Sequence, residues 1–120
     1  MSNLLYRNNI YVNSSSSMCI YMISGVHVAR LGDYIIAYDG DEVVGAQAWG
    51  GEITGLVAMG KDGTELTSEY SDMGNILTFK LLKKSGRFIN LYGNVPPFQQ
   101  LQFHFINLSP LNKTKKIRKK

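Results

Sequence analysis

Tyr34-Ile35-Ile36-Ala37-Tyr38 runs straight into Asp39-Gly40-Asp41 and then into Glu42-Val43-Val44-Gly45-Ala46-Gln47-Ala48-Trp49. Two runs rich in β-branched and aromatic residues flank an Asp-Gly step. That step supplies a positive φ at little steric cost, so the pattern reads as a β-hairpin with a tight turn. The same alternation of short apolar runs and turn residues continues on both sides. Upstream, Met18 to Ile23 is apolar at both parities, as a central strand is. Downstream, Ile53 to Met59 follows Gly50-Gly51, and Lys61-Asp62-Gly63-Thr64 is a further turn. Residues 65–72 are polar and acidic, which fits a loop or an edge segment.

Asn75 to Leu82 carries a clear period of two, with Leu77, Phe79 and Leu81 alternating with Thr78 and Lys80. Lys83-Lys84-Ser85-Gly86 turns it into Arg87 to Tyr92. Asn94-Val95-Pro96-Pro97 breaks the chain, and Leu101 to Leu108 closes it. In that last run Leu101, Phe103 and Phe105 share one face, and Gln102 and His104 the other. Glycine recurs from Gly25 to Gly93, at about 1 kcal/mol each in a helix interior, so long helices are excluded there. The expected fold is all-β, an antiparallel β-sandwich of about 7–8 strands. A small barrel is the alternative. Three segments follow: residues 1–17 as an N-terminal arm and linker, 18–108 as the sandwich, and 109–120 as a basic tail. Leu4 to Val12 reads either as an extra strand or as an arm that joins a neighbour's sheet, and Ser14 to Ser17 as a flexible linker.

The chain has 120 residues, 44% of them hydrophobic and 18% charged, which suits one globular domain and excludes wholesale disorder. Its net charge of +4 hides a split. Six of the 13 basic residues are Lys113, Lys115, Lys116, Arg118, Lys119 and Lys120; the other 7, set against 9 acidic residues, leave a net of −2. The basic run is a candidate anchor for phosphate, anionic lipid or an acidic protein face. It has no interleaved aromatics, so base stacking is not indicated. No stretch reaches the ~20 apolar residues of a membrane-spanning helix, and residues 1–11 do not read as a secretory leader.

The chemistry inventory is short. One cysteine, Cys19, excludes an intramolecular disulfide framework and a cysteine-based zinc site, and its apolar strand suggests a buried thiol. His27 and His104 read as solvent-facing strand residues. No phosphate-binding glycine loop and no nucleophile elbow is present, so no catalytic residue, metal or cofactor is expected. Asp39, Asp41 and Glu42 place three carboxylates in one turn, but without calcium-loop spacing they read first as a solvated hairpin tip. Trp49, beside Gly50-Gly51, is the best candidate for an exposed sugar-stacking aromatic, although core packing is its default role. Trp49, Asp39, Asp41 and Glu42 are therefore the candidate ligand contacts.

Two motifs in order, Gly32 to Ala46 and Gly74-Asn75-Ile76-Leu77-Thr78-Phe79-Lys80-Leu81, resemble a small immunoglobulin-like β-sandwich module of secreted and surface proteins of Bacteroidetes. The resemblance covers about residues 17–108. It implies an adhesive or carbohydrate-associated role and brings no catalytic residues. Val43 stands where that module often has cysteine. A single module with its own arm and basic tail also suits a piece of a larger particle, as phages use immunoglobulin-like domains on their virions. The expectation is a non-enzymatic structural component displayed on a virion or cell surface, in contact with copies of itself or with other capsid or surface proteins. The alternatives are a carbohydrate-binding or adhesion module, and a nucleic-acid-associated protein acting through the tail.

Overall fold

Seven strands form two sheets in a computed structural model that describes residues 4–111. In chain order they are β1 (Ser17–Ser24), β2 (Tyr34–Asp39), β3 (Glu42–Ala48), β4 (Ile53–Gly60), β5 (Thr78–Leu82), β6 (Phe88–Leu91) and β7 (Phe103–Asn107). Helix among the described residues amounts to one turn, α1 (Leu4–Arg7), and a 3-10 turn at Glu65–Thr67. One sheet has the order β4-β1-β7 and the other β3-β2-β5-β6. A single core lies between them, so the architecture is that of a β-sandwich.

The expected hairpin is present. β2 pairs antiparallel with β3 from Tyr34–Ala48 to Asp39–Glu42, and Gly40 takes φ +62° at the first turn position. The register slips between Ala37 and Tyr38, so that Val44 is the extra residue of a bulge. The bulge buries Val44 and Gly45 in succession and bends β3 toward β4. There a Cβ on Gly45 would lie 2.8 Å from both Leu56 Cδ2 and the Val57 carbonyl oxygen. Only glycine permits that approach of the two sheets. At the opposite corner, Tyr92 and Ser109 exchange backbone hydrogen bonds of 2.7 and 3.0 Å. One of the five strand pairings, β1 with β7, is parallel, where the sequence pattern alone suggests antiparallel pairing throughout. β7 enters after a long return from β6, so its direction is not constrained by a hairpin.

The core takes Cys19, Tyr21 and Ile23 from β1, Leu56 and Ala58 from β4, and Ile106 from β7. From the other sheet come Ile35, Ala37, Val44, Phe79, Leu81 and Leu91. Tyr21 is fully buried, donates its hydroxyl to the Pro96 carbonyl at 3.2 Å, and meets the Phe79 ring edge-on at 5.5 Å. Burial raises its pKa well above the usual phenol range. Asp33, at the entry to β2, is buried and paired. Its carboxylate accepts the Lys83 ammonium at 2.6 Å and the backbone N–H groups of Arg30 and Lys84 at 2.9 and 2.8 Å. Burial by itself would raise that carboxyl; these donors outweigh it and lower its pKa.

Residues 4–16 lie against the sandwich. Leu4 and Ile10 are buried with Ile36 and Leu82 on the outer face of the four-stranded sheet. No strand forms between Leu4 and Val12; the helical turn ends at Arg7, and Asn9, at φ +59° in the turn that follows, sends Ile10 back onto the sheet. The serine run is tied down. Ser15 Oγ donates to the Gly60 carbonyl at 2.6 Å, and the Ser16 N–H donates to Asp62 at 3.1 Å. Asp62 also accepts the Thr64 and Thr67 hydroxyls at 2.7 and 2.8 Å, and these donors, Thr64 foremost, lower its pKa.

Candidate functional site

Strand β1 alternates strictly: Ser17, Cys19, Tyr21 and Ile23 are buried inward, while Met18, Ile20, Met22 and Ser24 point out and are half-buried. Its two partners extend that outer surface row by row. Met18 lies beside Met59; Ile20 lies between Val57 and Phe103; Met22 lies between Gly55 and Phe105; Ser24 lies between Ile53 and Asn107. None of the residues of β1, β4 and β7 is Asp, Glu, Lys or Arg. Phe103 is 63% exposed, Phe105 76%, Ile53 54%, and Leu101 at the end of the β7 approach 72%. The outer face of the three-stranded sheet is therefore uncharged, and it is apolar over the rows of Met18, Ile20 and Met22, with Ser24 and Asn107 at one end. On the other sheet's outer face Leu4 and Ile10 cover Ile36 and Leu82, while Phe88 stays 41% exposed; among the described residues no segment covers the β4-β1-β7 face.

This face reverses the expected polarity of the last strand. The alternation of Phe103 and Phe105 against His104 is present, but the phenylalanines point to water. His104 and Ile106 point inward. His104, expected to face solvent, packs on the Tyr21 ring with centroids 5.3 Å apart, and its Nε2 is buried without a hydrogen-bond partner. Leu101 lies outside the strand at φ +60° and hands its N–H to the Met18 carbonyl at 2.7 Å. His27 is exposed on a turn. The legible signal for the face was the combination of apolar residues at both parities with a complete lack of charge in the three strands.

The candidate ligand contacts are separated. Trp49 belongs to the core cluster, 9% exposed, and its backbone N–H donates to the Asp33 backbone carbonyl at 2.9 Å. Asp41 and Glu42 are exposed at the far end of the same hairpin, and Asp39 accepts the Asn75 side-chain amide at 2.8 Å. The hairpin thus places Trp49 and the acidic turn at opposite ends. Lys113, Lys115, Lys116, Arg118, Lys119 and Lys120 lie outside the described residues.

Among the described residues no three His, Cys, Asp or Glu side chains come together in a way that could hold a metal ion. Cys19 is buried. A cleft of about 690 Å³ opens near the β6–β7 corner, lined by Ile76, Phe79, Leu91, Tyr92, Asn107 and Leu111 among others, with no charged side chain on its wall. No described helix is long and apolar enough to cross a membrane. No family model, no curated protein and no solved structure matches the chain.

Proposed function

We propose that this chain is a non-enzymatic structural and interaction module. In this reading it is an immunoglobulin-like β-sandwich that serves as a repeated component of a larger assembly on a virion or cell surface. The uncharged outer face of the β4-β1-β7 sheet carries the reading. Apolar surface in water costs about 25 cal/mol per Å² relative to its buried state. Among the described residues Leu4 and Ile10 cover part of one sheet face and none covers the other, and an uncovered apolar face of this size suits contact with another surface. The stiff two-sheet body holds the face in one shape, so contact needs little ordering of the module itself. The basic residues 113–120 add a terminal anion-attracting segment whose contribution falls with salt.

Sedimentation equilibrium of the full chain, at low and at high salt, tests this. The expected result is association beyond the 13.4 kDa chain mass, kept at high salt because apolar burial is not screened. A strict monomer in both conditions, up to the solubility limit, overturns the reading.

A further inference from the structure

We propose that the occupant of the outer β4-β1-β7 face is a second copy of this chain, docked face to face about a two-fold axis along the central strand β1. The inference rests on the assembly reading above and names the partner for that surface. Three observations carry it.

The first is area. With about 200 Å² for a whole phenylalanine side chain, Phe103 and Phe105 at 63% and 76% exposure leave roughly 280 Å² in water. With Leu101, Ile53 and the half-buried Met18, Ile20, Met22, Val57 and Met59, the face comes to roughly 600 Å², at the upper end for a monomer's largest patch. A standard interface buries about 800 Å² per partner, so one copy of this face is nearly the size that a dimer needs.

The second is charge. A partner surface bearing Lys or Glu would have to bury those charges against a sheet that offers none in return, at several kcal/mol each. The identical face meets that condition by construction, and a surface that pairs with itself is what two-fold symmetry requires.

The third is shape. The bulky Phe103 and Phe105 stand on the β7 border, while the same rows end in Val57 and the side-chain-free Gly55 on the β4 border. A two-fold axis along β1 keeps each row and exchanges the borders. Phe105 of one copy then projects over Gly55 of the other, and Phe103 over Val57. An axis across the strands would instead bring the two phenylalanine-bearing β7 borders onto each other and the two small-residue β4 borders onto each other, a poorer fit of bulky against small. Met22, whose Sδ lies 3.0 Å from where a Gly55 Cβ would stand, can swing aside, as flexible methionines do at adaptable surfaces. Two sheets packed this way sit about 10 Å apart, with strands within about 30° of alignment.

The full chain is expected to sediment at twice 13.4 kDa. The double variant Phe103→Lys, Phe105→Lys should return it to the single-chain mass with an unchanged far-ultraviolet circular dichroism spectrum. Leu31→Lys, which changes a side chain 78% exposed outside this face, should leave the dimer intact. Phe103→Cys and Val57→Cys, prepared separately, should form a covalent dimer with a short bismaleimide only when mixed. A parent oligomer whose mass the double lysine variant does not change overturns the second-copy inference while the assembly reading stands. A monomeric parent overturns both. Efficient crosslinking of Phe103→Cys with itself overturns the proposed axis.

Discussion

Replacing Asp33 by asparagine removes one negative charge from a side chain that is 2% exposed, while Lys83, its partner at 2.6 Å, is 20% exposed. Three donors converge on that carboxylate: the Lys83 ammonium and the N–H groups of Arg30 and Lys84. Asparagine keeps one acceptor oxygen but turns its second polar atom into a donor facing donors. Breaking a buried pair costs about 3–5 kcal/mol. Lys83 keeps some solvent and also donates to the Val28 carbonyl at 2.8 Å, so the lower end applies, about 3 kcal/mol. At about 4 °C per kcal/mol for a chain of this size, the melting temperature should fall by about 12 °C at pH 7. Trp49 is the one tryptophan and its backbone N–H donates to the Asp33 backbone carbonyl, so its fluorescence reports the unfolding of this corner.

The pH dependence gives a second check. The folded Asp33 carboxyl has a lowered pKa, and in the unfolded chain it titrates near 3.9. Its contribution is fully present above that unfolded value and is lost as the pH falls through the folded one. The gap between parent and Asp33→Asn should therefore be full at pH 7 and narrow below about pH 4. Equal melting at pH 7, or a gap as wide in strong acid as at neutrality, would refute the reasoning.

Gly45→Val should destabilise by more than about 2 kcal/mol, because its Cβ would stand 2.8 Å from the Val57 carbonyl and Leu56 must move; thermal melts measure this. Deleting the residues through Ile10 should uncover Ile36 and Leu82 and lose about 3–5 kcal/mol from the burial of Leu4 and Ile10, read as a lowered melting temperature with increased binding of an apolar dye. In a spectrophotometric titration Tyr21 should stay protonated where exposed tyrosines ionise near pH 10. Because its folded pKa is raised, its stabilising contribution is complete below about pH 10 and declines as the pH rises further, so ordinary ionisation of all 7 tyrosines in the folded protein would contradict its burial.

Much of this fold was legible in advance because turn chemistry is local. Asp39-Gly40-Asp41 and Lys83-Lys84-Ser85-Gly86 announce their hairpins through residues that tolerate unusual φ, and both hairpins form, β2 with β3 and β5 with β6. Apolar residues at both parities in Met18 to Ile23 placed β1 at the centre of a sheet, where it lies. The bulge at Val44 was not legible, since Val43 and Val44 are alike and only the approach to β4 distinguishes them. The exposed face was half legible: its apolar strands were read, but as core.

The sequence by itself determined the main turns and that the body of the chain is β, because those follow from φ preferences and a period of two. Tertiary structure alone decided which side of each strand meets the core. Alternation in β7 defines two faces and is symmetric between them; pairing with β1 points His104 and Ile106 inward and leaves Phe103 and Phe105 in water. The same holds for the two outer faces, since among the described residues α1 and Ile10 reach only the four-stranded sheet and leave the apolar face of β4-β1-β7 in water.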